Sequence, residues 1–195
     1  MKEGELVEHL TDSEMNQLLD VARRSVALAV LDHITYHPDL ADHSPALAEH
    51  GAAFVTLRRH GRLRGCIGTL EAIEPLAEAV ADRARAAALH DPRFEQVQPH
   101  ELDDLEVSVS VLTQPAPIEV VSYADLRARL RPGVDGLVVD ATGHRATFLP
   151  SVWEELPDPE EFLSALWRKA GLPERAWPSG IRLATYTAQH AQAHA

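Results

Sequence analysis

The sequence predicts an α+β fold in which helices flank a largely antiparallel sheet. Amphipathic helical stretches alternate with short strand-like runs, and two pairs of those runs are joined by turn residues. The composition is that of a globular chain, with 45% hydrophobic and 25% charged residues among 195. A chain of this length suits one domain, or two small lobes that share a core.

The first helix is predicted to start at Thr11. Glu14 follows three positions later, which is the pattern of a capping box. Apolar residues then recur at the three-and-four spacing of one buried helix face as far as Ile34. We expect Pro38 to end this helix.

A β-hairpin is predicted next. Residues 52–58 and 62–69 are strand-like and flank His60-Gly61, a plausible two-residue turn. The register that follows pairs Arg59 with Arg62, Leu57 with Arg64, and Val55 with Cys66. Side chains alternate along a strand, so Cys66 should share a face with Arg64 and lie opposite Thr56.

The remaining elements follow the same local signals. They are a helix from Glu74-Pro75 to about Leu89, a strand at 105–112, a short strand around Ile118 to Val121, a helix capped by Ser122 and ending at Leu130, turns at Pro132-Gly133 and Asp135-Gly136, a hairpin of 137–140 with 145–149 around Thr142-Gly143-His144, a helical turn at Pro150, a helix at 160–170, and a strand at 181–187. We expect a single domain over residues 11–187, with tails at 1–10 and 188–195.

Charge and cysteine content restrict the class of function. The net charge of −12 argues against a partner bound by broad phosphate neutralisation, such as nucleic acid. No segment approaches the length of a membrane span, and the start carries no apolar leader, so we expect a cytoplasmic protein without a membrane partner. The single cysteine agrees with a reducing compartment.

The segment 62–69 holds the candidate reactive group. It places Cys66 between Gly65 and Gly68, and four arginines fall at positions 58 to 64 of an otherwise acidic chain. A cation beside a thiol favours the thiolate, and arginine binds carboxylate or phosphate. The alternative is a small packed cysteine at a hairpin that carries solvated arginines.

The loop His90-Asp91-Pro92-Arg93-Phe94 is the predicted companion of Cys66. It follows the helix that leaves the cysteine strand and combines a carboxylate, a guanidinium and an aromatic ring. His90, Asp91 and His144 are the candidate bases for a cysteine nucleophile. The alternative for the loop is structural, because Asp before Pro commonly starts a turn and Arg93 could simply pair with Asp91.

Other familiar chemistries lack their patterns. Neither a P-loop nor a dinucleotide-binding glycine motif is present, so no cofactor is predicted. His33 and His37 have the four-residue spacing that aligns metal ligands on a helix face, but spacing alone supplies two ligands. We therefore predict no metal site.

Six segments together resemble the AMMECR family, whose bacterial or archaeal form is called AmmeMemoRadiSam system protein A. They lie at 63–69, 91–94, 107–112, 132–137, 146–150 and 169–172, in the family's order over about residues 15–187. Two positions depart from the family's pattern. Glu95-Gln96-Val97 stands where members often carry two prolines, and Ser108 stands where many carry a glutamate.

The resemblance implies two closely joined lobes, with the cysteine motif near a cleft between them. It also implies association with a Memo-like protein and a radical S-adenosylmethionine (SAM) protein, without supplying a reaction. The leading hypothesis is a small anionic ligand held beside Cys66, which acts as thiolate nucleophile or redox group, while Asp91 orients Arg93 or carries a proton. The ligand-binding residues in this hypothesis are Arg64, Gly65, Gly68, Thr69 and Arg93.

Two other readings remain open. The protein could be a non-catalytic adaptor or binding module that recognises a phosphate, a peptide carboxylate or RNA, or that docks the Memo-like partner, with RNA the weaker version because of the acidic net charge. Alternatively, the motif could mainly shape the fold, with Gly65 and Gly68 needed for tight packing.

Overall fold

The structure is a computed structural model that describes residues 9–141 and 143–194. The predicted α+β class is confirmed, and the described chain forms two compact units. The first unit contains the chain as far as Gln114 together with Gln189 onward, and the second runs from Pro115 to Ala188. Each unit carries a four-stranded sheet of its own, in which the strand pairs described below are antiparallel.

The helices are α1 (Asp12–Leu31), α2 (Pro45–Ala48), α3 (Leu76–Leu89), α4 (Tyr123–Arg129) and α5 (Pro159–Lys169), with 3₁₀ turns at Leu40–Asp42, Pro99–Asp104 and Pro150–Glu154. The strands are β1 (Ala52–Arg59), β2 (Arg62–Gly68), β3 (Leu105–Leu112), β4 (Ala116–Pro117), β5 (Gly136–Ala141), β6 (His144–Phe148), β7 (Arg182–Tyr186) and β8 (Ala188–His194).

Helix α1 begins where its capping box predicts and ends earlier than expected. The Thr11 hydroxyl accepts the Glu14 backbone N–H, and the Glu14 carboxylate accepts the Thr11 backbone N–H. The helix ends at Leu31, because His33 adopts a left-handed conformation with φ of 57°. Pro38 therefore does not end the helix, and Ile34 is exposed beyond it.

The sheet of the first unit has the strand order β2-β1-β3-β8 and packs one face against helices α1 and α3. That face is apolar, because alternate residues of β1 and β3 are buried aliphatics; they are Val55, Leu57, Val107, Val109 and Val111. The opposite face carries Phe54, Thr56, Ser108 and Ser110, which pair across β1 and β3. Cys66 belongs to this second, more polar face.

Strand β8 corrects the expectation of a tail at 188–195. Residues 188–194 form the edge strand beside β3, and Ser110 hydrogen-bonds the Nδ1 atom of His190 at 3.2 Å. The Gln189 side chain also accepts the Leu10 backbone N–H at 2.7 Å and donates to the Leu10 carbonyl at 2.9 Å. Leu10 is buried, so it is not part of a loose tail; residues 1–8 of the expected N-terminal tail lie outside the described residues.

The sheet of the second unit has the order β4-β7-β5-β6. Its hairpin β5–β6 agrees with the prediction to within one residue at each strand, although Thr142 of the predicted turn lies outside the described residues. Residues 118–121 are not a strand; β7 pairs with β5 on one side and with the two-residue β4 on the other. Gly136 is the first residue of β5 rather than part of a turn.

An aromatic core fills the second unit. Phe162 and Trp167 of α5 are fully buried, and the Phe162 ring stacks on Trp153 with centroids 3.8 Å apart. The Trp153 indole N–H donates to the Asp135 carbonyl at 2.7 Å, which fixes the chain just before β5. The predicted Ser122 cap of α4 and the helical turn at Pro150 are both confirmed.

Candidate functional site

The β1–β2 hairpin turns at His60 and Gly61, both of which have positive φ, and this is the geometry that favours glycine in a two-residue turn. Arg59 pairs with Arg62 as predicted. Arg58 faces Leu63, which keeps the predicted register, but Leu57 faces Gly65 and not Arg64 as predicted. Arg64 is thus the extra residue of a β-bulge, and the bulge moves every later pair by one position.

Cys66 consequently faces Thr56 and not Val55. The expectation that Thr56 lies on the opposite face is wrong, because the Thr56 hydroxyl donates a hydrogen bond to the Cys66 sulfur at 3.3 Å. Cys66 is a free thiol of intermediate exposure. The residue is therefore partly exposed, and its sulfur already has a hydroxyl donor.

Asp91 contacts the backbone of Cys66 rather than its thiol. Its Oδ2 atom accepts the Cys66 N–H at 2.8 Å, and its carboxylate binds the Arg93 guanidinium through Nε at 2.9 Å and Nη2 at 2.7 Å. The Asp91 side chain is 2% exposed. The hydrogen bond from Arg93, helped by the Cys66 and Arg93 backbone N–H groups, lowers the pKa of Asp91 to about 2 despite burial.

Arg93 completes this arrangement. Its Nη2 atom also donates to the Cys66 carbonyl at 3.2 Å, and its guanidinium lies over the Phe94 ring, 5.5 Å from the centroid. The side chain is 53% exposed, so one part of the guanidinium faces solvent while another holds Asp91. The pairing with Asp91 raises the pKa of Arg93.

Arg64 is held by a different carboxylate. Its Nε and Nη2 atoms each donate to Glu101 at 2.9 Å, and Nη1 donates to the Glu95 carbonyl at 2.8 Å. Arg59 donates to the same Glu101 at 3.2 Å. The hydrogen bond from Arg64 is the main reason that the pKa of Glu101 falls to about 2.

Two residues of this site, Thr56 and Glu101, carried no signal in the sequence. Thr56 reads as an ordinary strand residue, and its contact with Cys66 depends on the bulge at Arg64. Glu101 lies in a 3₁₀ turn far along the chain from Arg64.

Packing accounts for both glycines of the motif. A Cβ atom on Gly65 would collide with the backbone carbonyl oxygen of Ala87 in α3, and one on Gly68 would collide with the Phe54 ring. Thr69 follows the strand, donates its N–H to the Ala53 carbonyl at 3.1 Å, and accepts the Glu71 N–H on its hydroxyl. These contacts fix the course of β2 on either side of Cys66.

The histidines considered as metal ligands or as a base for Cys66 lie in the following positions. His33 and His37 follow the end of α1, so the helical spacing that would align two metal ligands does not apply to them. His144 hydrogen-bonds the Ala170 carbonyl through Nδ1 at 2.8 Å. Within residues 9–141 and 143–194, no group of three or more His, Cys, Asp or Glu side chains has the arrangement of a metal site. No helix of the same residues is long and apolar enough to cross a membrane.

Comparison with known proteins identifies the relatives of this chain. The AMMECR1 family model matches residues 19–191. A protein of Methanothermobacter thermautotrophicus is 43% identical over 168 residues, covering 84% of this chain and 85% of the relative. A protein of Thermofilum pendens is 39% identical over 192 residues, covering 92% and 90%. Neither name states an activity.

A solved structure is similar over almost the whole chain. The uncharacterized protein PH0010 from Pyrococcus horikoshii superposes with a TM-score of 0.88 at 35% sequence identity, covering 94% of this chain and 93% of that one. This chain and PH0010 are therefore similar in fold as well as in sequence.

Proposed function

The chain belongs to the AMMECR1 family, and we propose that it acts in the cytoplasm as the protein A component of a system with a Memo-like protein and a radical SAM protein. The family resemblance of its motifs supports this assignment. In the proposal, the surface around Cys66 binds a small anionic ligand and Cys66 is the reactive group, either as a nucleophile or as a redox thiol.

The observation that carries this proposal is the hydrogen bond from the Thr56 hydroxyl to the Cys66 sulfur. A hydroxyl donor can hydrogen-bond a thiolate sulfur, and the thiolate is the form that attacks an electrophile. Cys66 is partly exposed, and its peptide groups are held by Asp91 and Arg93. A fixed, accessible and hydrogen-bonded thiol meets the basic needs of a nucleophile.

Arg93 is the better placed of the two arginines to meet an anion. Its side chain is 53% exposed, whereas that of Arg64 is 16% exposed and bound to the Glu101 carboxylate. The proposed ligand therefore carries a phosphate or carboxylate that contacts Arg93, while Arg64 supports the strand. Asp91 fits the role of orienting Arg93, because a carboxyl with a pKa of about 2 is a poor base near neutral pH.

The competing proposal is a non-catalytic adaptor that docks a protein partner. It is favoured by the pairing of Arg64 with Glu101 and of Arg93 with Asp91, since the fold already uses both guanidinium groups. A stoichiometric pull-down of the Memo-like partner that survives Cys66→Ala but is lost on Arg64→Ala would support the adaptor.

Alkylation of the sole cysteine tests the enzyme proposal directly. The full chain is treated with iodoacetamide across a range of pH, and N-acetylcysteine serves as the reference thiol. We expect Cys66 to react faster than the reference near neutral pH, and Thr56→Val to remove the advantage. Ser108→Ala is the matched control, because the Ser108 hydroxyl lies on the same face but bonds the Thr56 carbonyl.

Either of two results would overturn the enzyme proposal. One is a wild-type Cys66 that reacts no faster than N-acetylcysteine at any pH. The other is a Cys66→Ser protein that retains full activity in the reconstituted system. Protection of Cys66 from alkylation by inorganic phosphate, lost in Arg93→Gln and kept in Arg62→Gln, would support the anion site.

A further inference from the structure

Strand β2 lies at the edge of its sheet, so half of its backbone groups face away from β1. The Cys66 N–H is one of them, because it bonds Asp91 and not the neighbouring strand. In an antiparallel ladder such a residue belongs to a pair without mutual hydrogen bonds, whose side chains lie closest together. This agrees with the short contact between the Thr56 hydroxyl and the Cys66 sulfur.

Asp91 and Arg93 supply the groups that a further strand would supply at this position. The carboxylate provides one acceptor for the Cys66 N–H at 2.8 Å, and the guanidinium provides one donor for the Cys66 carbonyl at 3.2 Å. The two side chains also bond each other through Oδ2 and Nη2 at 2.7 Å. The carboxylate, the guanidinium and the two Cys66 backbone groups therefore form one closed ring of hydrogen bonds.

The local fold explains how the loop reaches the strand. Gly65 lets the C-terminal part of α3 approach β2 closely, because any Cβ there would meet the Ala87 carbonyl. The chain leaves α3 at Leu89, so Asp91 emerges beside the strand edge. The Asp91 carboxylate then accepts the Arg93 backbone N–H at 3.1 Å, which orients Arg93 back toward the same peptide.

We propose that Asp91 and Arg93 are a positioning pair that replaces a neighbouring strand at Cys66, closes this edge of β2, and fixes the peptide from which the thiol projects. The pair goes beyond the function proposed above, because it requires no reaction at Cys66. It also assigns Asp91 a role that needs neither proton transfer nor contact with a ligand.

Hydrogen exchange of single amides tests the pair. We expect Asp91→Ala to speed exchange of the Cys66 amide at least about tenfold, since the amide loses a charged acceptor. Asp91→Asn keeps an acceptor oxygen and should give a smaller increase. The Ile67 and Val109 amides report whether the sheet remains intact, and Asp135→Ala in the second unit is the matched control.

Arg93→Gln provides a second readout that does not depend on Asp91. It should shift the backbone carbonyl ¹³C resonance of Cys66, and Arg93→Lys should shift it less. If Asp91→Ala leaves the Cys66 amide as protected as in the wild type, the positioning pair is wrong. Should Asp91→Ala fail to fold, an unchanged Cys66 carbonyl resonance in Arg93→Gln overturns the proposal equally. Slow alkylation of wild-type Cys66 would overturn only the enzyme proposal.

Discussion

Asp91 in the first unit and Asp135 in the second are both buried, and each binds an arginine close in sequence. Asp135 accepts the backbone N–H of Arg131 at 2.8 Å and its Nη2 atom at 2.6 Å, so all of these bonds stay within one turn. Asp91 accepts a backbone N–H from Cys66, 25 positions earlier. The same pair of residue types therefore closes a local turn in one unit and ties a loop to a distant strand in the other.

The difference lies in where the backbone donor comes from. The hydrogen bonds of Asp135 depend only on residues of its own turn, because their donors are four positions away. The hydrogen bond between Asp91 and Cys66 also requires α3 to lie against β2. Removing Asp91 should thus change the backbone hydrogen bonding at Cys66, whereas removing Asp135 should change it only near β5. Substitutions in the two units can test whether one aspartate acts at a distant strand and the other only within its own turn.

The largest effect is expected from Gly65→Ala, which would separate Asp91 from its strand. The added methyl meets a helix backbone oxygen that cannot rotate away, so we expect a loss of about 3 kcal/mol in the free energy of unfolding. Urea denaturation of the full chain measures it. Gly61→Ala is the control, because it strains a positive φ but meets no neighbouring atom, and should cost about 1 kcal/mol. Equal losses in the two variants would contradict the close approach of α3.

The next largest effect is expected from Asp91→Ala, which should lower the free energy of unfolding by about 2 kcal/mol. The Cys66 N–H then loses a charged acceptor, while the half-exposed Arg93 can turn to water. Urea denaturation gives the magnitude, and hydrogen exchange in β2 gives the location. A loss below 0.5 kcal/mol, taken as roughly the scatter for surface substitutions, would argue that the contact is incidental.

Acid should remove the stabilisation that Asp91 provides in the first unit. The pKa of Asp91 is about 2 in the folded protein and about 4 in an unfolded chain, so the unfolded state binds the proton first as pH falls. The contribution of Asp91, on the order of 2 kcal/mol, is fully present above pH 5 and is lost as pH falls from about 4 to about 2. Glu101 acts in the same direction and over the same range.

Denaturation at a series of pH values measures this loss. Asp91→Asn should lack the Asp91 share of the pH dependence and keep that of Glu101. Stability that stays constant, or rises, between pH 5 and pH 2 would contradict the assignment of both carboxylates.

Asp135→Ala should have the smallest effect, about 1 kcal/mol, because the Arg131 N–H that loses its acceptor can bind water. Hydrogen exchange should change at residues 131–136 and leave the Cys66 amide unaltered. Faster exchange at Cys66 in this variant would remove the distinction between a local and a distant contact.

Those parts of the fold that depend on neighbours three or four positions away were predictable from sequence. The capping box of Thr11 and the cap at Ser122 were found where expected, and α5 ends within one residue of the predicted position, with Gly171 at positive φ shortly after it. Each is a contact between a side chain or glycine and its own helix end, so the residues that decide it are adjacent in the sequence.

Contacts between distant segments were not predictable. Nothing in 62–69 marks Arg64 as a bulge, yet that residue decides whether Cys66 faces Val55 or Thr56. Cys66, Asp91 and Arg93 were expected in one site and do lie together, but the sequence could not tell a carboxylate that serves the thiol from one that serves the backbone. Strand β8 was missed because its alternating Ala, Gln and His have little strand propensity outside a sheet.

The position of β8 sets the order in which the first unit can be completed during synthesis. Strands β1 and β3 leave the ribosome early, whereas β8 follows the whole of residues 115–188. Until residues 188–194 emerge, β3 has an open edge, and Leu10 lacks the Gln189 side chain that binds its backbone. The second unit, which is continuous in sequence, can fold before the first one is finished. A nascent chain arrested before β8 should therefore contain a folded second unit beside a three-stranded, unclosed first sheet.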